Sequence, residues 1–230
     1  MIKLAAAIFS AAIIFVPGAA SAVTLSLAGD PAAYSNYTLN SAGGFDLDNF
    51  GGASYTSLTS GLGVDGNVVS VLNSSEKDAT NGLMVDGPAA VTYTYLGKEA
   101  GFTNSLKLVA GDATVFETNT NSLGNKSGPY NALAGLLAFK LISNSNADNV
   151  FNNGDATTGM NIAYLMISET SWLVFLDDYG AGPDRDFDDI GIRVDVTAVP
   201  LPAALPLLGT GIGALAFFGR RKKKDTAVAA

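Results

Sequence analysis

Three features of the sequence predict an all-β fold. Gly, Ser, Thr and Asn interrupt the chain every several residues; no long stretch between residues 23 and 198 combines a 3.6-residue apolar period with helix caps; and several short runs are β-branched or alternate apolar with polar side chains. Many short strands joined by polar turns point to one β-sandwich or jelly-roll-like domain. The 176 residues from 23 to 198 suffice for one core without staples.

The strands follow in order. Val68 to Leu72 is short and β-branched. In Ala90 to Leu96, Val91, Tyr93 and Tyr95 alternate with Thr92 and Thr94, the pattern of a half-buried strand. Leu106 to Ala110 and Thr114 to Glu117 flank Gly111-Asp112, a hairpin turn. Gly135 to Ile142 reads as one strand, because Leu137, Phe139 and Leu141 alternate with Ala138 and Lys140. Ile162 to Ile167 and Trp172 to Leu176 are apolar on both faces, which places them centrally, with Trp172 in the core. Ile190, Ile192, Val194 and Val196 alternate with Gly191, Arg193, Asp195 and Thr197, giving a last strand with one wet face. The body has no internal repeat and no linker beyond ordinary loops.

Composition removes several classes of function. The chain has 230 residues, no Cys and no His. That excludes disulfide scaffolds, thiol catalysis, Cys-based metal sites, Ser-His-Asp triads and His-ligated metals. Residues 23–198 hold seven Lys+Arg against twenty Asp+Glu, a net charge of −13. Nucleic acid is not a partner of so acidic a domain, because phosphate neutralisation needs clustered cations.

The two ends are addresses. Met1 to Ala22 has the layout of a secretory signal peptide: Lys3, an apolar stretch from Leu4 to Val16, then Pro17-Gly18 as a break. Ala20-Ser21-Ala22 is a small-x-small site for signal peptidase, which puts the mature start at Val23. At the other end, Ala203 to Phe218 is uncharged, and Val199 to Gly219 is long enough to cross a bilayer as a helix. Arg220, Arg221, Lys222, Lys223 and Lys224 follow at once and hold the C-terminus inside. Residues 225–230 form a short cytoplasmic tail.

Val199-Pro200-Leu201-Pro202-Ala203, followed by the apolar span and the basic cluster, resembles the VPLPA-CTERM sorting signal of the PEP-CTERM group of bacterial tripartite tails. Motif, span and cluster stand in the right order over Val199 to Lys224; Asp225 to Ala230 extend past the pattern. The resemblance implies a Gram-negative host, recognition by an exosortase, and association with exopolysaccharide or biofilm matrix. The layout fits processing, since Pro200 and Pro202 remove backbone donors and keep the strip before the membrane irregular. The precursor is then anchored in the inner membrane, and the processed protein belongs to the cell surface or matrix.

One constellation carries chemistry. Asp177, Asp178, Asp184, Asp186, Asp188 and Asp189 put six carboxylates into thirteen residues between two strands. Such a density is relieved either by a hard cation, with Ca²⁺ taking six to eight oxygens, or by solvation, backbone capping and pairing with Arg185 or Arg193. The loop is not an EF-hand. Asp184, Asp186 and Asp188 fit its first, third and fifth positions, but Asp189 replaces the turn glycine, Asp195 the terminal Glu, and a strand follows. Ca²⁺ is the sole candidate cofactor.

Tyr93-Thr94-Tyr95-Leu96-Gly97-Lys98-Glu99-Ala100-Gly101-Phe102-Thr103-Asn104, with Phe175-Leu176-Asp177-Asp178 and Asp184-Arg185-Asp186-Phe187-Asp188-Asp189, resembles an uncharacterised β-rich domain of bacterial surface and matrix proteins. That likeness implies an extracellular β-sandwich and assigns no catalytic residues. Phe45 to Phe50 offers further cation oxygens, and Tyr34, Tyr37, Tyr55 and Tyr130 offer rings for sugars. The leading expectation is a non-enzymatic surface or matrix protein. The alternatives are a glycan-degrading enzyme built on two carboxylates, for which Glu76, Glu99, Glu117 and Glu169 form no recognisable site, and an unprocessed periplasmic binding module anchored in the inner membrane.

Overall fold

The computed structural model describes residues 22–38, 68–72, 80–98, 101–143, 148–151, 161–177, 187, 189–199, 212, 213 and 215. The chain divides into two units, Ser21–Val199 and the two ends, Met1–Ala20 with Pro200–Ala230. In the end unit Ile212, Gly213 and Leu215 are helical and exposed. Among the described residues no helix is long and apolar enough to cross a membrane; most of the apolar span from Ala203 to Phe218 lies outside them.

The Ser21–Val199 unit is all-β. Its described strands form three sheets in which every pairing is antiparallel. The first consists of β1 (Leu25–Ala28), β4 (Gly82–Val85) and β9 (Gly135–Leu136), in the order β1-β4-β9. The second has β6 (Asn104–Leu108), β7 (Thr114–Glu117), β10 (Phe139–Ser143) and β11 (Asp148–Phe151), in the order β11-β10-β6-β7. The third adds β2 (Tyr34–Thr38), β3 (Val68–Leu72), β5 (Ala89–Gly97), β8 (Lys126–Ala132), β12 (Asn161–Ser168), β13 (Ser171–Asp177) and β14 (Ile190–Ala198). These seven strands run β2-β3-β12-β13-β14-β5-β8.

Period-2 alternation sorts the side chains of the large sheet onto two faces. On one face Val91 and Tyr93 of β5, Tyr164 of β12, Trp172 and Val174 of β13 and Ile192 of β14 share a core with Leu83 of β4, Phe116 of β7 and Phe139 of β10. All three sheets therefore bury apolar surface in one place. Tyr93 meets Phe139 edge-on, with ring centroids 6.0 Å apart, an arrangement that adds to simple burial. The hydroxyls of Tyr93 and Tyr164 are held well above the usual phenol range by desolvation, so both remain neutral.

The opposite face of the large sheet carries a second core of Val69, Val71, Ala163, Leu165, Leu173, Phe175 and Phe187. β12 and β13 thus bury both faces, as their unbroken apolar runs predict. Trp172 lies in the first core at 8% exposure. β14 buries Ile190, Ile192, Val194 and Val196, and its other face shows Arg193, Asp195 and Thr197 partly to solvent.

Two boundaries differ from the sequence reading. The strand expected over Leu106–Ala110 ends at Leu108, because Ala110–Asp112 forms a 3-10 turn with Gly111 and Asp112 at positive φ. Gly135–Ile142 is two strands in two sheets, β9 and β10. The chain crosses at Leu137 and Ala138, where the Leu137 amide donates to Leu83 and the Ala138 carbonyl accepts from Val109. Side chains keep alternating through the crossing, so the apolar pattern does not register the change of partner.

Candidate functional site: the aspartate-rich connection and the two chain junctions

The Asp-rich connection leaves the large sheet from β13 and returns to it at β14, neighbouring strands paired from Ser171↔Asp195 to Leu176↔Ile190. Its first residue, Asp177, closes β13 opposite Asn161 and is 2% exposed. The Asn161 side-chain amide donates to Asp177 Oδ2 at 3.3 Å. At the other end the Asp189 carbonyl accepts from Asn104 Nδ2 at 3.1 Å, which ties the loop exit to β6. Between them Phe187 is driven into the second core, 2% exposed, at φ +55. A bulky residue holds that backbone region only where packing compensates.

Of the six carboxylates, Asp177 and Asp189 are described; Asp178, Asp184, Asp186 and Asp188 lie outside the described residues, as do Arg185 and residues 45–50. Among the described residues no group of three or more carboxylates gathers at one point. Among the described residues Arg193 pairs with Asp195 on its own strand, Nε to Oδ1 at 2.8 Å.

The sugar-stacking candidates disperse. Tyr34 is half-buried, donates to the Ala28 carbonyl at 2.6 Å and accepts from the Gly82 amide at 2.7 Å. Tyr130 leans on Tyr93 and shares a 2.6 Å hydrogen bond with Ser127. Tyr37 is half-buried on the edge strand β2, and Tyr55 lies outside the described residues. Glu117 sits in β7 and Glu169 in the turn between β12 and β13, on separate sheets; Glu76 and Glu99 lie outside the described residues.

The two ends of the Ser21–Val199 unit converge on a single turn. Ala22 is exposed, whereas Val23 is already buried at 5% and belongs to the first core. Thr24 donates its amide to Asp86 Oδ1 at 2.8 Å and its hydroxyl to Oδ2 at 2.9 Å. Those two bonds, the backbone one first, hold the Asp86 carboxyl below its ordinary range. At the other junction the Val199 amide donates to the Pro88 carbonyl at 3.2 Å. One three-residue turn, Asp86-Gly87-Pro88 between β4 and β5, therefore secures both ends of the unit. Ala20, Pro200, Leu201, Pro202, Ala203, Arg220, Arg221, Lys222, Lys223 and Lys224 lie outside the described residues.

The sequence reading missed the Asp86 clamp. A lone Asp before Gly-Pro carries only a turn signal, and Thr24 lies 62 positions away along the chain. The chain matches no protein-family model and no curated protein.

Proposed function

We propose that this is an exported structural or binding protein of the cell surface or exopolysaccharide matrix of a Gram-negative bacterium. Signal peptidase releases it behind Ala22, the C-terminal helix holds it in the inner membrane, and an exosortase then processes it within Val199–Ala203. The observation that carries this reading is the order of motif, apolar span and basic cluster from Val199 to Lys224. The junction geometry supports it. Val23 is the first buried residue among those described, and Val199, the first residue of the sorting motif, makes a backbone hydrogen bond to Pro88, so cuts behind Ala22 and beyond Val199 spare the folded unit. The three sheets sharing one core are read as a β-sandwich with the seven-stranded sheet as one layer.

The test is the intact mass and location of the protein in a host carrying an exosortase. Surface or medium material is expected to begin at Val23 and to lack everything beyond about Pro202. Full-length tail recovered from the inner membrane would make the segment an ordinary anchor and end the matrix reading.

Within this reading the Asp177–Asp189 connection binds Ca²⁺, with Asp177, Asp178, Asp184, Asp186, Asp188 and Asp189 as its oxygen donors. A cation would neutralise the mutual repulsion of a loop whose two ends are fixed by β13 and Phe187. Millimolar Ca²⁺ is then expected to raise the melting temperature over the EDTA-treated protein, and Asp186→Asn with Asp188→Asn to remove that rise. A double variant with an undiminished rise rules this site out.

A further inference from the structure

The acidic unit hides a small cationic site on its large sheet. Five basic residues of Ser21–Val199 are described. Lys107 and Lys140 both pair with Asp112, at 3.2 and 2.7 Å. Lys98 donates to the Phe102 carbonyl at 3.1 Å and to Asn119 Oδ1 at 2.8 Å. Lys126 is exposed and has no side-chain partner among the described residues. Arg193 is held by its Nε alone, which donates to Ser171 Oγ at 2.9 Å and Asp195 Oδ1 at 2.8 Å. Its two terminal nitrogens, the fork that recognises carboxylates in two parallel bonds, have no partner among the described residues.

The strand register brings these two cations together. Lys126 of β8 is opposite Thr94 of β5, and Thr94 is opposite Arg193 of β14. Residues directly opposite in antiparallel strands point to the same face, with strands about 4.8 Å apart. Lys126, Thr94 and Arg193 therefore form one row, and Thr92 and Asp195 form the next. Thr94 is 8% exposed, and its Oγ1 is buried without a hydrogen-bond partner. Thr94 is thus a buried polar position between the two cations. On the same face β3, β12 and β13 are covered by apolar packing, while Arg193 and Asp195 stay 37% and 29% exposed. Lys126, Arg193, Asp195 and Thr92 are thus an accessible margin beside a covered core, with Thr94 buried between them.

We infer that Lys126 and Arg193, in one row on either side of Thr94, bind the carboxylate of an acidic sugar within a uronate-containing polysaccharide. The Arg193 fork takes the carboxylate in two bonds, and Lys126 adds the second positive charge from the far side of the buried Thr94. Asp195 and Thr92, one row along, accept from sugar hydroxyls. The site carries one net positive charge, from Lys126 and Arg193 against Asp195, within a unit of −13. It therefore selects carboxylates spaced along a chain rather than a dense anionic surface, which the surrounding charge repels. This rests on the matrix reading only for the supply of such a glycan.

The test is calorimetric titration of the detergent-solubilised full chain with tetragalacturonate, with neutral cellotetraose and tetraglutamate as comparison ligands. Tetragalacturonate is expected to bind, more weakly as salt rises, and the comparison ligands are not. Arg193→Gln should weaken binding about tenfold or more, as loss of a charge-assisted pair does. The exposed Lys126→Ala should weaken it about threefold, with the melting temperature unchanged. No binding by the native chain, equal binding of tetraglutamate, or an Arg193→Gln variant that binds as well as the native chain overturns the site. Absent binding with a correctly cut tail dismisses this site and leaves matrix sorting standing. Intact binding with an uncut tail does the reverse.

Discussion

Replacing Phe187 by Ala is expected to destabilise the Ser21–Val199 unit by about 3–5 kcal/mol, the range for removing a buried aromatic side chain. Phe187 is the one described residue between Asp177 and Asp189, and it sits among Val69, Val71, Ala163, Leu165, Leu173 and Phe175. Removing the ring opens a cavity over β3, β12 and β13 and frees the Asp-rich connection from its anchor. The backbone makes the position diagnostic. At φ +55 a Cβ is unfavourable, so Gly relieves about 1 kcal/mol there that Ala does not. Urea denaturation should therefore place Phe187→Gly level with, or above, Phe187→Ala, the reverse of their order in an ordinary strand. A loss below about 1 kcal/mol for both variants would show that the second core closes without the ring.

The same residue marks the limit of what the sequence could tell. Phe187 sits among six carboxylates, Asp184, Asp186, Asp188 and Asp189 with the preceding Asp177-Asp178, and it invites a solvent-facing reading. Its burial depends on a sheet face assembled from β3, β12 and β13, which local pattern does not report. The strands themselves were legible wherever alternation or an apolar run decided them. Val68–Leu72 and Thr114–Glu117 fall where the pattern puts them, and Ile162–Ile167 and Trp172–Leu176 lie within β12 and β13. β8 escaped because it is an edge strand: Lys126, Gly128, Pro129 and Asn131 are exposed, and Pro is tolerated where no ladder partner is needed. β1 and β4 also escaped. The candidate site was legible only as composition. Six Asp in thirteen residues are visible, but the row that sets Arg193 and Lys126 on either side of Thr94 emerges only from strand register.

The second large effect is expected at Gly29, which controls the N-terminal junction. Gly29 adopts φ +91, and a Cβ built there would stand 1.7 Å from Asn81 Oδ1 and 2.9 Å from Asn81 Cα. Asn81 is itself 2% exposed, and its Oδ1 accepts from the Asp30 amide at 3.2 Å. The backbone Cα cannot swing aside, so Gly29→Ala must move the chain and break that bond. Positive-φ strain contributes about 1–2 kcal/mol, and a buried amide left unpaired another 1–3 or so. A loss of about 3 kcal/mol or more follows. Gly111 supplies the control: it too has positive φ, +75, but nothing lies within 4 Å of its Cβ position. Gly111→Ala should cost only about 1 kcal/mol, so the difference between the two variants isolates the collision from the backbone strain. The damage should also be local at first. β1 pairs with β4 from Leu25↔Val85 to Ala28↔Gly82, and Tyr34 joins the Ala28 carbonyl to the Gly82 amide. Displacing Asn81, next to Gly82, loosens that corner, and with it the short strand that presents Val23 and Thr24 to Asp86. Hydrogen exchange of Gly29→Ala is accordingly expected to expose the β1 amides before those of β13 and β14. Uniform loss of protection across all three sheets would instead mean that β1 and the large sheet unfold as one unit, and that the N-terminal junction is as stable as the core behind it.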